Sequence, residues 1–169
     1  LVNNNESVIL DRHFKNVFHS SKKIYELTEG RFDPSIGLLV NYWGFGPEKF
    51  MIDPDIKKDD QLGYLFSKIG FDKFKITDDK LIRPNDSYID FNAIAKGYAV
   101  DQIGNFLKEK QIDNYLVEIG GEIKALGTNI NKNKPWLVAI DMPRFDGERS
   151  NYSSLELNDI SLASSGIYR

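Results

Sequence analysis

Asp90-Phe91-Asn92-Ala93-Ile94-Ala95-Lys96-Gly97-Tyr98 joins the end of a strand to the start of a helix. Tyr88 to Phe91 reads as a short strand. A helix is expected from Ala93 to Lys110, with Ala95, Ala99, Ile103, Phe106 and Leu107 as its apolar stripe. Lys96 then falls in the first turn. The free N–H groups of a helix start carry partial positive charge and bind phosphate well, and an ammonium beside them adds a full charge. Gly97 allows a ligand or a second backbone to approach closely. Asp90, at the strand end, is placed to meet a ligand hydroxyl, a ring nitrogen or a metal. The stretch is neither a Walker loop nor a Rossmann turn, because the glycine spacing of both is missing. The plain alternative is a solvated lysine on a helix whose N-cap is Asp90 or Asn92.

Working outward from this stretch, residues 11–29 read as a helix capped by Asp11. Phe14, Val17, Phe18, Ser21, Ile24 and Tyr25 share one face, and Gly30 stands at the stop. Residues 31–47 form a loop rich in Gly, Pro and aromatics. A second helix is expected over 55–69, with Leu62, Leu65, Phe66 and Ile69 apolar and Gly70 as its stop. Residues 73–83 read as a hairpin turning at Thr77-Asp78-Asp79. Beyond the central helix, strands are expected at Tyr115–Ile119 and Glu122–Leu126, joined by Gly120-Gly121. A mostly buried strand should follow from Trp136 to Met142. A final hairpin over Ser154–Ala163 should turn at Asn158-Asp159. Helix, loop, helix, hairpin, strand, helix and then several strands make an α+β chain, a mixed sheet with packed helices.

The 169 residues carry 22 Lys+Arg against 25 Asp+Glu, a net charge of −3, with 41% apolar and 28% charged residues. Those proportions suit one soluble domain over 1–169 and exclude disorder, collagen and coiled coil. The acidic balance argues against a nucleic-acid or polybasic membrane surface. Cysteine is absent, which excludes disulfides, cysteine zinc sites and thiol chemistry. Histidine occurs only as His13 and His19, six apart and on different helix faces, so a metal here would be a hard cation on oxygen ligands. No run is long and apolar enough to span a bilayer, and no signal peptide is visible. The chain opens on Leu1 rather than Met and stops at Arg169 within what reads as ordered structure. It is therefore expected to be an internal fragment.

Three further segments offer chemistry. In Gly30-Arg31-Phe32-Asp33-Pro34 a rigid Asp-Pro step follows an aromatic. Tyr42, Trp43 and Phe45 stand ready to pave an apolar pocket, unless the segment is a structural turn with core aromatics. In Glu118-Ile119-Gly120-Gly121-Glu122 the glycines either expose N–H groups to a ligand or form a hairpin turn. Glu118 and Glu122 are a carboxylate pair only if the turn brings them together. Ser164 and Ser165 offer hydroxyls with no histidine nearby in sequence.

Taken in order, these segments resemble the FAD:protein FMN transferases, the ApbE family. The motifs are Thr28 to Gly37 followed by Trp43-Gly44-Phe45-Gly46, then Asp90 to Tyr98 with Asp101, then Val117 to Ile123, then Ser165 to Tyr168. The resemblance implies that Arg31, Phe32 and Asp33 line an FAD site and that Asp90 and Lys96 contact FAD, Lys96 also acting in catalysis. It implies that Ala93 gives its carbonyl to Mg²⁺. The implied reaction passes FMN from FAD to a threonine hydroxyl of an acceptor flavoprotein and releases AMP. FAD hydrolysis to FMN and AMP, or flavin binding without catalysis, are the rival readings. The family's earlier flavin-contacting segment, its later H-x-x-D-P-x-T-G motif and the Asp and Thr that complete its metal site fall outside this sequence. The fragment alone is therefore expected to be inactive. The resemblance further implies an extracytoplasmic protein, tethered to the membrane by a lipid anchor that this sequence does not contain.

Overall fold

The computed structural model describes residues 2–4, 8–47, 58–142 and 151–165. The chain forms two compact units, Leu1–Ile94 and Ala95–Arg169.

In the first unit, helix α1 (Arg12–Leu27) starts where expected because the Phe14 N–H donates to Asp11 Oδ1 at 2.7 Å. It ends through Glu29 and Gly30, both in the left-handed region, with the Gly30 N–H on the Tyr25 carbonyl at 2.8 Å. Val17, Phe18 and Ser21 are buried as the spacing predicts, but Ile24, at the margin of that face, is exposed. The core gathers Phe18, Phe71, Phe74 and Ile89, with Phe14, Tyr25 and Phe91 packed against it. Phe71 is central, 4.9 Å from Phe18 and 5.6 Å from Phe74 between ring centroids. Strands β1 (Lys75–Thr77) and β2 (Lys80–Ile82) form the expected hairpin. Asp78 and Asp79 both take positive φ at its two-residue turn, which suits the twist of the strands. The turn is tied to the start of α1 by Leu10 N–H on the Asp79 carbonyl at 2.8 Å and by a 2.9 Å Lys15–Asp79 ion pair.

The first unit departs from the sequence expectation at three places. The 31–47 segment contains a short helix, α2 (Gly37–Tyr42), which six residues with a leading glycine did not announce. Helix α3 (Lys58–Ser67) buries Leu65 and Gln61 but leaves Phe66 exposed, so its predicted apolar face is only partly used. The expected start at 55 lies outside the described residues. Tyr88 to Phe91 is not a strand. Tyr88 makes a single parallel bridge to Ile36, and α2 begins at the next residue, so the ladder has nothing to extend along.

In the second unit, helix α4 (Asn92–Glu109), whose first turn belongs to the first unit, buries Val100 and Gly104. Ile103 and Phe106 are exposed, so the predicted stripe is rotated toward Val100. Gly104 is required there: a Cβ would stand 2.9 Å from the Tyr115 hydroxyl. Strands β3 (Tyr115–Ile119) and β4 (Glu122–Leu126) pair antiparallel around Gly120-Gly121, as predicted. Strand β5 (Trp136–Asp141) pairs with β6 (Asn151–Leu157), and β7 (Ser161–Leu162) pairs with β4. The expected hairpin at Asn158-Asp159 is thus a crossover between two sheets. The Asp159 carboxylate accepts from Gly127 N–H at 2.8 Å, and the Ile160 carbonyl accepts from Ala125 N–H at 3.0 Å. β5 is half-buried rather than mostly buried, with Leu137 exposed, because only its Trp136 and Val138 face joins a core. That core holds Ile123, Ala125 and Leu157. A second, with Val100, Tyr115 and Val117, lies toward α4. Among the described residues, no helix is long and apolar enough to cross a membrane.

Candidate functional site

The first unit builds a corner from two of the quoted motifs. At the end of α1 the Thr28 hydroxyl donates to the Ile24 carbonyl at 2.8 Å and accepts from Phe32 N–H at 3.1 Å, folding the chain back at Arg31 and Phe32. Asp33 then makes an Asx turn: its Oδ1 accepts from Ser35 N–H at 2.8 Å and from the Ser35 hydroxyl at 2.6 Å. Ser35 is buried, and its Oγ accepts from Gly70 N–H at 2.8 Å. The direction of the Asp33 carboxylate is therefore set by Ser35 as well as by Pro34. Burial, and then the carboxylates of Asp72 and Asp33, push the Tyr25 phenol above its ordinary value.

This loop meets the segment before α4. The Pro34 carbonyl accepts from Asp90 N–H at 2.8 Å, and the Tyr88 ring packs so closely on Gly37 that a Cβ there would stand 2.4 Å from it. Asp90 Oδ1 accepts from Asn92 N–H at 2.7 Å. Asp90 thus holds the amide of the first residue of α4 in an Asx turn, and one of its oxygens is committed to that bond. Ser35→Ala should cost about 1 kcal/mol, because the part-buried Gly70 N–H loses its acceptor. Urea unfolding measures it, and a loss below about 0.5 kcal/mol, the range of an ordinary surface change, would mean the bridge holds nothing.

Ala93 is exposed in the first turn of α4, where its carbonyl faces along the helix as an acceptor in the helical ladder. Among the described residues, no group of three His, Cys, Asp or Glu side chains could hold a metal. Mg²⁺ demands near-octahedral oxygen coordination, and one carbonyl does not supply it. The described residues on their own do not fit the ion.

The second unit builds its corner from α4 and the β3–β4 turn. Side chains alternate along β4, so Glu122, Lys124 and Leu126 share one face, opposite Ile119, Val117 and Tyr115 of β3. That face turns toward α4. Lys96 Nζ lies 2.7 Å from Glu122 Oε2, and Lys124 Nζ lies 2.7 Å from Asp101 Oδ1. Lys96 Nζ also donates to the Gly120 carbonyl at 3.2 Å, and its stem lies over Gly120, where a Cβ would stand 3.3 Å from Cδ. Gly120 and Gly121 both take positive φ, and Ser164 Oγ lies 3.7 Å from where a Gly121 Cβ would be.

One sequence expectation changes here, and one question the sequence left open is answered. Lys96 is the fifth residue of α4, not a first-turn residue, because the helix starts at Asn92, one residue earlier than expected. It is paired with Glu122 while its side chain stays exposed to solvent. Glu118 and Glu122 are not a carboxylate pair: Glu118 stands opposite Ile123 and Glu122 opposite Ile119, so they face opposite sides of the sheet. The sequence reading also gave no role to Thr28 as a hook or Ser35 as a bridge. A hydroxyl just past a helix and another two residues after an aspartate were the available signals. Of the aromatics that could pave a pocket or join the core, Tyr42 is buried edge-on against Trp43, while Trp43 and Phe45 are exposed.

Residues 1–169 match the family model described as the ApbE family. A FAD:protein FMN transferase of Haemophilus influenzae is 37% identical over 98% of this chain and 48% of its own length. One from Vibrio cholerae is 40% identical over 85% of this chain and 42% of its own. The solved flavin transferase ApbE from Vibrio cholerae superposes with a TM-score of 0.78 at 35% identity, over 97% of this chain and 52% of that one. That likeness supports the α+β assignment, and the chain spans about half the length of the relatives it matches. With its whole length matched, this chain belongs to the ApbE family.

Proposed function

We propose that residues 1–169 are part of a single FAD:protein FMN transferase domain. The observation that carries this is the 37% identity, over nearly the whole chain, to a relative of that name. In the proposed reaction a threonine hydroxyl of an acceptor flavoprotein attacks the FMN phosphorus of FAD. A new P–O bond forms to threonine, the bond to the bridging oxygen breaks, AMP leaves with that oxygen, and the hydroxyl proton passes to a base. Phosphoryl transfer of this kind depends on positioning and on electrostatic stabilisation of developing charge.

In this proposal Arg31, Phe32 and Asp33 contact FAD from the hooked loop, and Asp90 contacts it with the oxygen not bonded to the Asn92 amide. Lys96 is the cation that meets charge built up on the diphosphate, and it must be shared with or released from Glu122 to do so. Mg²⁺ enters the proposal only as the family's expected ion, with the Ala93 carbonyl as one ligand; the described residues alone do not complete its coordination. Asp33→Ala in the full-length protein should weaken FAD binding about tenfold in titration calorimetry and also lower stability by about 1 kcal/mol, since the Ser35 turn is lost. Unchanged FAD affinity would make the loop purely structural. An extracytoplasmic, lipid-anchored location is likewise proposed. Fractionation of the full-length product into the cytosol would contradict it.

The test of the reaction class follows FAD consumption with and without an acceptor. Transfer predicts that AMP appears only when the acceptor is present and that free FMN does not accumulate. Equal AMP and free FMN without an acceptor would favour FAD hydrolysis, and no turnover in either case would favour a binding protein.

A further inference from the structure

We infer that Glu122 is a positioning residue for Lys96, and that it sets the turnover of the transferase rather than its affinity for FAD. The inference rests on the proposed FMN-transfer reading, in which Lys96 meets the FAD diphosphate.

A lysine on four flexible bonds is a poor electrostatic catalyst unless its ammonium is held. Here three contacts hold it. The stem lies against Gly120, which has no side chain to displace it. The ammonium donates to the Gly120 carbonyl at 3.2 Å. Glu122 Oε2, on a side chain only 18% exposed, stands 2.7 Å away. The alternation of β4 fixes Glu122 on the face toward α4, and its place directly after the tight glycine turn fixes its height along the strand. The Lys96 side chain is 46% exposed, so an anion from solvent can reach it. A carboxylate in that position also competes with the diphosphate for the same cation. Its effect on binding FAD is therefore mildly unfavourable, while its effect on holding the charge in place is favourable. The two effects act on different kinetic constants, which separates them from a structural role.

The experiment measures kcat and KM for FAD in the full-length protein with a fixed saturating acceptor, for Glu122→Gln, Glu122→Asp, Lys96→Met and the Lys96→Met/Glu122→Gln pair. Glu122→Gln is expected to lower kcat about tenfold to a hundredfold, the scale of a misplaced reacting group, with KM unchanged or lower. Glu122→Asp should recover most of kcat. In the Lys96→Met background, Glu122→Gln should lower kcat no further, because the residue acts only through the lysine. If Lys96→Met collapses kcat while Glu122→Gln leaves it within twofold, the inference is wrong and the transfer reading stands. If Glu122→Gln lowers kcat equally with and without Lys96, Glu122 acts independently and the inference is again wrong. If Lys96→Met itself keeps full kcat, the phosphate-site reading fails first.

Discussion

Replacing Lys96 with Met in the full-length protein is expected to lower the proposed FMN transfer about a hundred- to a thousandfold, the usual loss when one preorganised electrostatic contact is removed from a reaction that develops negative charge. The structure adds a second consequence that the sequence did not foretell. Lys96 neutralises Glu122, whose side chain is mostly shielded from water. Methionine keeps the stem over Gly120 but leaves that carboxylate unpaired. The variant should lose about 1–2 kcal/mol of stability, less than the 3–5 kcal/mol of a fully buried pair because the lysine end is half exposed. Adding Glu122→Gln should return the stability and leave transfer as slow as before. Thermal melts beside single-turnover transfer assays separate the two effects. A solvated lysine would show neither, and wild-type transfer by Lys96→Met would remove it from the proposed site.

Phe71→Ala should unfold more of the protein than any change at the site, at about 3–5 kcal/mol. Phe71 is wholly buried, and its ring touches Phe18, Phe74, Tyr25 and Phe91 in one aromatic cluster. Its carbonyl accepts from Lys22 Nζ at 3.2 Å, and that ammonium also lies over the Phe71 and Tyr25 rings. Phe91 links this core to the corner that carries Asp90 and the start of α4. Loosening the cluster should therefore speed hydrogen exchange at the Asn92 amide, which Asp90 holds, as well as lower the melting temperature. Phe71→Leu, which refills most of the volume, should cost markedly less. An alanine variant as stable as the parent would show that the cluster does not organise this unit.

Local rules were readable in the sequence. Asp11 capping α1, Gly30 after it, the Asp78-Asp79 turn and the Gly120-Gly121 turn each follow from the chemistry of a few neighbouring residues, and the structure places each as expected. What the sequence concealed depends on contacts between distant segments. Whether Leu157 and Leu162 belong to one hairpin or to two sheets is decided by Trp136 and Ile123, and no local pattern encodes that choice. Helix α2 was hidden because its length is near the minimum and its neighbours are aromatics and glycines. Within each unit, the motifs marked the candidate residues Asp33 and Asp90, or Lys96, in the chain. The partners that give them their geometry, Ser35, Asn92 and Glu122, emerged only with the Asx turn, the early helix start and the register of β4.

The most direct test of FMN transfer is the intact mass of a purified acceptor flavoprotein after incubation with the full-length protein, FAD and Mg²⁺. FMN transfer predicts a gain of one FMN on a single threonine, abolished when that threonine is replaced by alanine. An acceptor of unchanged mass, in a mixture where FAD has been consumed to free FMN and AMP, would contradict it.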